Sequence, residues 1–233
     1  MESDKILEVK NLTVDFGDFR ALEEISFDVE KDDSLAIIGP NGSGKTVLLK
    51  AILGTVKYSG SVKWNKNIKI GYVPQRLEID RSLPMTVEEF LETKANILKI
   101  GLGEIKKLLY LVNLPEDILK RPIGQISSGQ FQRALILFAL VGDPNVLLFD
   151  EPTASVDEPS EEQIYETLHK LQDEKRMTII IVSHDLSLVY KHSNKVLCIN
   201  KNKVCFGEPA DVLTSKQLYS LYGGEHKYYH HMH

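Results

Sequence analysis

Between Gly39 and Thr46 the chain reads Gly-Pro-Asn-Gly-Ser-Gly-Lys-Thr, a glycine-rich run that ends in a lysine and a hydroxyl. The spacing is that of a phosphate-binding loop, G-x-x-x-x-G-K-[ST]. Gly39, Pro40, Asn41, Gly42, Ser43 and Gly44 form a segment that can curl until several backbone N–H groups face inward on a polyphosphate. A helix starting there adds roughly half a positive charge at its N-terminus. Lys45 can then bridge the β- and γ-phosphates, and the Thr46 hydroxyl can ligate Mg²⁺. A second candidate lies at Val146-Leu-Leu-Phe-Asp150-Glu151, where an apolar run delivers two carboxylates. Asp150 is expected to hold Mg²⁺, directly or through water, and Glu151 to polarise the attacking water. The chemistry these residues support is binding and hydrolysis of ATP with Mg²⁺.

Such groups need rigid elements behind them. Ser34–Ile38 reads as a buried strand leading into the loop, and Val47, Leu48, Ala51 and Ile52 recur at helical spacing after it, with Gly54 as the stop. Leu7–Asp15 and Ile25–Val29 read as strands of an N-terminal sheet, and Asn67–Val73 as another strand. From about Leu77 to Gly142 the pattern turns helical, with breaks at Pro84, Gly101–Gly103, Pro115 and Pro122. Strands return at Asn145–Asp150 and Met177–Val182, with a helix from Ser160 or Glu161 through Leu171 between them. Val196–Ile199 and Lys203–Phe206 read as a hairpin around Lys201–Asn202. Buried strands alternating with helices predict an α/β fold with a parallel sheet. The 233 residues suit one domain, with an inserted helical subdomain at about 77–142 and a His-rich tail at 226–233.

Composition narrows the class. A hydrophobic share of 42% and a charged share of 26% are ordinary for a packed, soluble protein, and no apolar run is long enough to span a bilayer. The opening MESDKILEVK is charged and lacks an apolar h-region, so a secretory signal is not expected. A net charge of −5 argues against nucleic acid as a partner. With only Cys198 and Cys205, a disulfide framework is not expected, and a reducing cytoplasmic setting is the simpler reading.

Further motifs carry a family resemblance. Ile126-Ser-Ser-Gly-Gln130 resembles the signature sequence of ABC-transporter ATPases, and it stands shortly before the Asp150 strand. Gln75 in Gly-Tyr-Val-Pro-Gln matches that family's Q-loop, Ser155-Val-Asp157 its D-loop, and His184 in Val-Ser-His-Asp its switch histidine. Phe16 falls where the family places an aromatic against adenine. The likeness runs from about Leu7 to Phe206. It implies a P-loop NTPase core of the ABC ATPase kind, with an N-terminal antiparallel β subdomain and the inserted helices already noted. It also implies an ATP sandwich: one subunit's loop holds the nucleotide while Ser127, Ser128, Gly129 and Gln130 of a second copy close over the γ-phosphate. A homodimer in the ATP-bound state follows. The resemblance assigns catalysis to Glu151, His184 and Gln75, Mg²⁺ to Thr46, Gln75 and Asp150, and communication between the two sites to Asp157.

Departures from the family pattern are equally specific. Ser128 replaces the first glycine of the usual signature pair, and Ile126 replaces leucine. Phe138 stands where many relatives carry an arginine, and Asp33 where a turn glycine is common.

The cargo is read from two segments. Val73-Pro-Gln-Arg76, Ile79-Asp80, Leu83–Val87 and Arg121–Gln125 are similar to ATPases that power uptake of zinc or manganese. His226, His230, His231 and His233 resemble the histidine-rich ends of zinc-uptake ATPases, and imidazole suits Zn²⁺. The resemblance implies a peripheral protein at the cytoplasmic face of the inner membrane. Its partners would be an integral membrane permease, docked on Gln75–Phe90, and an extracytoplasmic metal-binding protein. A manganese or iron importer and a soluble, non-transport ABC ATPase are the alternative readings.

Overall fold

Alternation of apolar and polar residues sets the first sheet. In the computed structural model, which describes residues 5–75, 77, 83–154, 156–200 and 203–222, β1 (Lys5–Phe16) and β2 (Phe19–Glu30) pair antiparallel across a turn at Gly17. Leu7, Val9, Leu12 and Val14 lie opposite Val29, Phe27, Ile25 and Leu22, and all eight are buried. Next come β3 (Ser34–Ile38), buried at all five positions, and α1 (Lys45–Ile52). Gly54 follows in a left-handed conformation at φ +72°, which ends the helix as its position predicts.

Strand β4 (Ser59–Trp64) adds to the other edge of β1. Its sequence does not announce a strand, because Ser59, Gly60 and Ser61 have little intrinsic preference for one. Pairing makes it. Trp64 pins its end by donating the indole N–H to the carbonyl of Ile52 at 2.8 Å.

The chain divides into two compact units, Met1–Asn65 with Ile181–His233, and Lys66–Ile180. The second unit opens with β5 (Ile70–Val73), shorter than the Asn67–Val73 strand expected, because Asn67 sits at φ +65° in a turn. Then follow α2 (Val87–Leu98), α3 (Leu102–Lys106), three 3-10 turns at Leu109–Val112, Glu116–Lys120 and Ile123–Gln125, and α4 (Ser128–Leu140). Thr86 and Glu89 form a reciprocal capping box at the start of α2, which fixes where that helix begins. Strand β6 (Val146–Asp150) runs parallel to β5, with Val73 opposite Phe149. It is followed by α5 (Glu158–Lys175), longer at both ends than the pattern predicts, and by β7 (Thr178–Val182). The five residues of β6 and of β7 are all buried, as continuous apolar runs in a parallel sheet require.

At the far end of α4, Lys94 donates to the carbonyls of Phe138 and Ala139 at 2.9 and 3.1 Å, with its ammonium 5.2 Å from the Phe138 ring centroid. Phe138 in turn stacks on Phe90 at 4.8 Å. An aromatic at position 138 is therefore accommodated by a cation brought from α2, which satisfies the helix's last carbonyls.

The chain returns to the first unit through α6 (Leu186–His192), β8 (Lys195–Asn200), β9 (Lys203–Gly207), α7 (Pro209–Val212) and α8 (Ser215–Tyr222). Strand β8 is parallel to β3 and antiparallel to β9. Here one expectation is corrected. Cys198 and Cys205 are direct cross-strand partners, and their sulfurs are bonded at 1.92 Å. The hairpin register, not a disulfide framework, brings them together. The turn residues Lys201 and Asn202 lie outside the described residues.

Asp33 proves to be a structural acid. It is 5% exposed and accepts from the Glu30 backbone N–H at 2.7 Å, from Asn194 Nδ2 at 2.9 Å and from Lys195 Nζ at 2.9 Å. Burial alone would depress the Lys195 ammonium. The hydrogen bond and field of Asp33, with Glu30 and Asp28, outweigh burial and hold it above its ordinary value. The interaction that replaces the turn glycine thus ties the start of β3 to the start of β8.

Candidate nucleotide site

Each unit carries part of the predicted chemistry. In the first, β3 ends at Ile38 and the loop Gly39–Gly44 leads into α1. Gly44 caps that helix at φ +99°, and a Cβ there would lie 2.6 Å from Leu22 Cδ2 and 2.9 Å from the Ala21 carbonyl oxygen. A Cβ at Gly39 would lie 2.0 Å from the Ile199 carbonyl oxygen. Both glycines are demanded by close approach. Lys45, 6% exposed, turns its ammonium back over the loop and donates to the carbonyls of Gly39 and Pro40 at 2.9 and 3.1 Å. The buried Ser43 hydroxyl has no hydrogen-bond partner among the described residues. A cation and an orphan hydroxyl on one glycine-rich loop at a helix N-terminus fit a polyphosphate.

His184 belongs to the same unit. The Ser183 N–H donates to the Ile37 carbonyl at 3.2 Å, and the Ser183 hydroxyl accepts from Asp185 N at 3.1 Å. Asp185 then caps α6 by accepting from Ser187 N and Leu188 N at 2.8 and 3.2 Å. His184 is thus held exposed on a stiff turn, joined to the strand that leads into the loop. Phe16 ends β1 and is 51% exposed. Its cross-strand partner Phe19, 64% exposed, was not singled out from sequence, although hairpin spacing across Gly17 pairs the two.

In the second unit, β5 and β6 end side by side and present Gln75, Asp150 and Glu151. Gln75 Nε2 donates to Glu151 Oε2 at 2.8 Å. A carboxylate only accepts, so the Gln75 amide must turn its nitrogen to Glu151. Glu151 has φ +49°, a left-handed conformation that is uncommon for a residue of this type and frequent at functional sites. Asp150 is 2% exposed. Burial, then the charge of Asp150 and a hydrogen bond to it, push the Tyr72 phenol up to about 12, so Tyr72 stays a donor to that carboxylate at physiological pH. Tyr72 is a residue that sequence reasoning missed. Alternation along β5 was the available signal, since Tyr72 points away from the neighbours of Gly71 and Val73.

The signature segment is built by its own side chains. Helix α4 begins at Ser128 because Ser127 is its N-cap. The Ser127 hydroxyl accepts from Gln130 N at 3.1 Å, and Gln130 Oε1 accepts from Ser127 N at 3.0 Å. In both bonds the Ser127 hydroxyl proton is not consumed. Ser128 is exposed, so the substitution for glycine meets no packing there. Gly129 is the position that admits no side chain: a Cβ would lie 2.1 Å from Ser160 Oγ and 2.4 Å from Ser160 Cβ. Asp157 caps α5 with no side-chain capping hydrogen bond and is exposed. Ser155, Arg76, Ile79, Asp80, His226, His230, His231 and His233 lie outside the described residues.

Comparison with known proteins decides the family. The ABC transporter family model matches residues 22–154, more than half of the chain. This chain belongs to the ABC transporter family. As an ABC ATPase it is 38% identical over 94% of its length to the zinc import ATP-binding protein ZnuC of Jannaschia sp. (strain CCS1), covering 88% of that protein. It is also 38% identical to a metal transport system ATP-binding protein of Thermotoga maritima, over 94% of this chain and 90% of that one. Among solved structures, the ADP conformation of MJ1267, an ATP-binding cassette of an ABC transporter, superposes with a TM-score of 0.81 at 27% identity, covering 95% of this chain and 99% of that one. CbiO1 of Clostridium perfringens, part of the ABC transporter complex cbiONQ, gives a TM-score of 0.79 at 29% identity over 93% and 94%. The expected α/β ABC ATPase fold, with a parallel-strand core and an antiparallel β subdomain, is the observed one. Among the described residues no helix is long and apolar enough to cross a membrane.

Proposed function

We propose that this ABC ATPase hydrolyses MgATP to drive import of zinc through a separate membrane permease. The observation that carries the hydrolytic part is the Gln75–Glu151 hydrogen bond at 2.8 Å, which holds a carboxylate oriented by an amide at the end of β6. The loop Gly39–Thr46 would bind the phosphates, with Lys45 exchanging its carbonyl partners for phosphate oxygens and Phe16 stacking on the base. Thr46, Gln75 and Asp150 offer a hydroxyl, an amide oxygen and a carboxylate, an all-oxygen donor set that suits Mg²⁺. Bound with ATP, Mg²⁺ would neutralise charge on the β- and γ-phosphates.

In this reading Glu151 accepts a proton from the attacking water, and Gln75 keeps that carboxylate in place. His184 donates toward the γ-phosphate. Ser127, Ser128, Gly129 and Gln130 serve the ATP of a second copy, whose own signature serves this one, and Asp157 links the two sites. The helices within about 77–142 form the inserted subdomain that meets the permease, and an extracytoplasmic binding protein delivers the metal. The protein then sits peripherally at the cytoplasmic face of the inner membrane, and its His-rich tail buffers or senses zinc.

Zinc as cargo rests on relatives at 36–38% identity that carry the name zinc import ATP-binding protein. The test is co-purification with the permease, reconstitution into vesicles, and ATP-dependent ⁶⁵Zn uptake driven by the zinc-loaded binding protein. Uptake or ATPase stimulation with manganese and not zinc would overturn the cargo. Hydrolysis by a Glu151→Gln variant at the wild-type rate would overturn the role of Glu151.

A further inference from the structure

Arg133 carries two nitrogens, Nε and Nη1, that find no hydrogen-bond partner among the described residues. It lies on α4 one turn beyond Gly129, on the same face, since residues four apart stack on a helix. That face packs on α5, where Gly129 meets Ser160. Arg133 is only 6% exposed, yet its Nε and Nη1 have no hydrogen-bond partner among the described residues. Two guanidinium nitrogens so placed are held against their own solvation, and leaving them without acceptors is costly.

Two acidic groups act on its charge, Glu166 on α5 and Asp157 just before that helix. Glu166 already accepts from Asn113 Nδ2 at 3.0 Å. Asp157, at the N-cap of α5, makes no capping hydrogen bond with its side chain. Burial depresses the Arg133 guanidinium, and the fields of Asp157 and then Glu166 oppose that depression without forming an ion pair.

We infer that Arg133 is a positioning residue: when the signature engages nucleotide, its guanidinium pairs with the Asp157 carboxylate and so ties the signature helix to the residue that links the two ATP sites. The inference rests on the functional reading given above for the signature and Asp157. Two buried nitrogens without acceptors are a cost, and pairing with Asp157 relieves it. That relief is a free-energy difference between a paired and an unpaired arrangement, and it can favour closure.

The test uses the full chain with Arg133→Met, Arg133→Lys, Asp157→Asn and the Arg133→Met/Asp157→Asn double variant. Arg133→Met should raise the urea midpoint measured without nucleotide, because an apolar side chain of similar length replaces two buried nitrogens that lack acceptors. The same variant should lower kcat at least tenfold with KM for ATP changed less than twofold. Asp157→Asn should lower kcat similarly, the double variant should lose no more than either single one, and Arg133→Lys should recover part of the loss. A lower urea midpoint for Arg133→Met would assign Arg133 to packing and overturn the inference, as would multiplicative losses in the double variant. Binding of a fluorescent ATP analogue, measured alongside and abolished by Lys45→Ala, separates the outcomes. If all four variants bind it as wild type does, loss or retention of turnover bears on Arg133; if wild type itself fails to bind, the nucleotide reading fails first.

Discussion

Replacing Gly129 with alanine should damage the protein by collision, and a second substitution should undo the damage. An alanine Cβ at 129 would lie 2.1 Å from Ser160 Oγ and 2.4 Å from Ser160 Cβ, but 3.7 Å from Ser160 Cα. The Oγ could rotate away. The Cβ cannot, so α4 and α5 must separate at their N-terminal ends. Overpacking of this kind costs about 1–3 kcal/mol. A Cβ only 2.1 Å from Ser160 Oγ belongs at the upper end of that range, about 3 kcal/mol. Alanine returns about 1 kcal/mol over glycine inside a helix, which leaves a net loss of about 2 kcal/mol for Gly129→Ala. Ser160→Gly removes both colliding atoms and keeps the Cα at an ordinary contact distance. It costs about 1 kcal/mol in α5, which the alanine in α4 offsets, so the double variant should stand within about 0.5 kcal/mol of wild type. Urea denaturation of the three variants measures this directly. A Gly129→Ala chain as stable as wild type, or a Ser160→Gly change that fails to restore it, refutes the packing argument. ATPase assays on the same proteins add a second result. If activity returns with stability, the glycine at 129 serves helix packing; if stability alone returns, the backbone's approach to phosphate also requires it.

Asp33→Ala should lower stability by about 2 kcal/mol. It deprives Lys195 and two further donors of their acceptor, although Glu30, 3.7 Å from the same ammonium, takes over part of the charge. Because Lys195 is held above its ordinary value of 10.5, its contribution is complete below that pH and disappears as pH rises through the elevated folded value. The gap between wild type and Asp33→Ala in urea midpoint should therefore narrow only in strongly alkaline buffer. Lys45→Ala should weaken binding of a fluorescent ATP analogue about 100-fold or more and lower the urea midpoint modestly, since the Gly39 and Pro40 carbonyls lose their donor; undiminished affinity would remove the loop from the site. Glu151→Gln should bind ATP and accumulate as an ATP-dependent dimer in size-exclusion chromatography, with kcat reduced at least 100-fold.

The parts of the fold legible in sequence were those where local pattern and tertiary demand coincide. Strands β3, β6 and β7 are apolar at nearly every position because both faces are covered, and the loop Gly39–Thr46 announces itself by spacing. Strand β4 was hidden because Ser59, Gly60 and Ser61 become a strand only through β1. The partners of Asp33 were hidden by distance along the chain, since Asn194 stands 161 residues away. Cys198 and Cys205 were within reach: the hairpin was read, but its register was not. In the site, Glu151 and Gln75 were named from motifs, while the hydrogen bond joining them required β5 and β6 to end side by side. Arg133 looked like any charged helix residue, because burial of a long side chain depends on what packs over it.

Gly39 shows how a motif can have two owners. Its missing side chain is required by the Ile199 carbonyl 2.0 Å from where a Cβ would be, on a strand that carries no phosphate-binding group. Gly42 is different: a Cβ there would meet nothing within 4 Å, and only its φ of +77° speaks for glycine. A chain of this fold that stopped using ATP could replace Lys45 at the loss of two hydrogen bonds to loop carbonyls, yet it would still need Gly39 to fold. The first glycine of the motif is therefore a marker of ancestry, and the lysine is the marker of a working site.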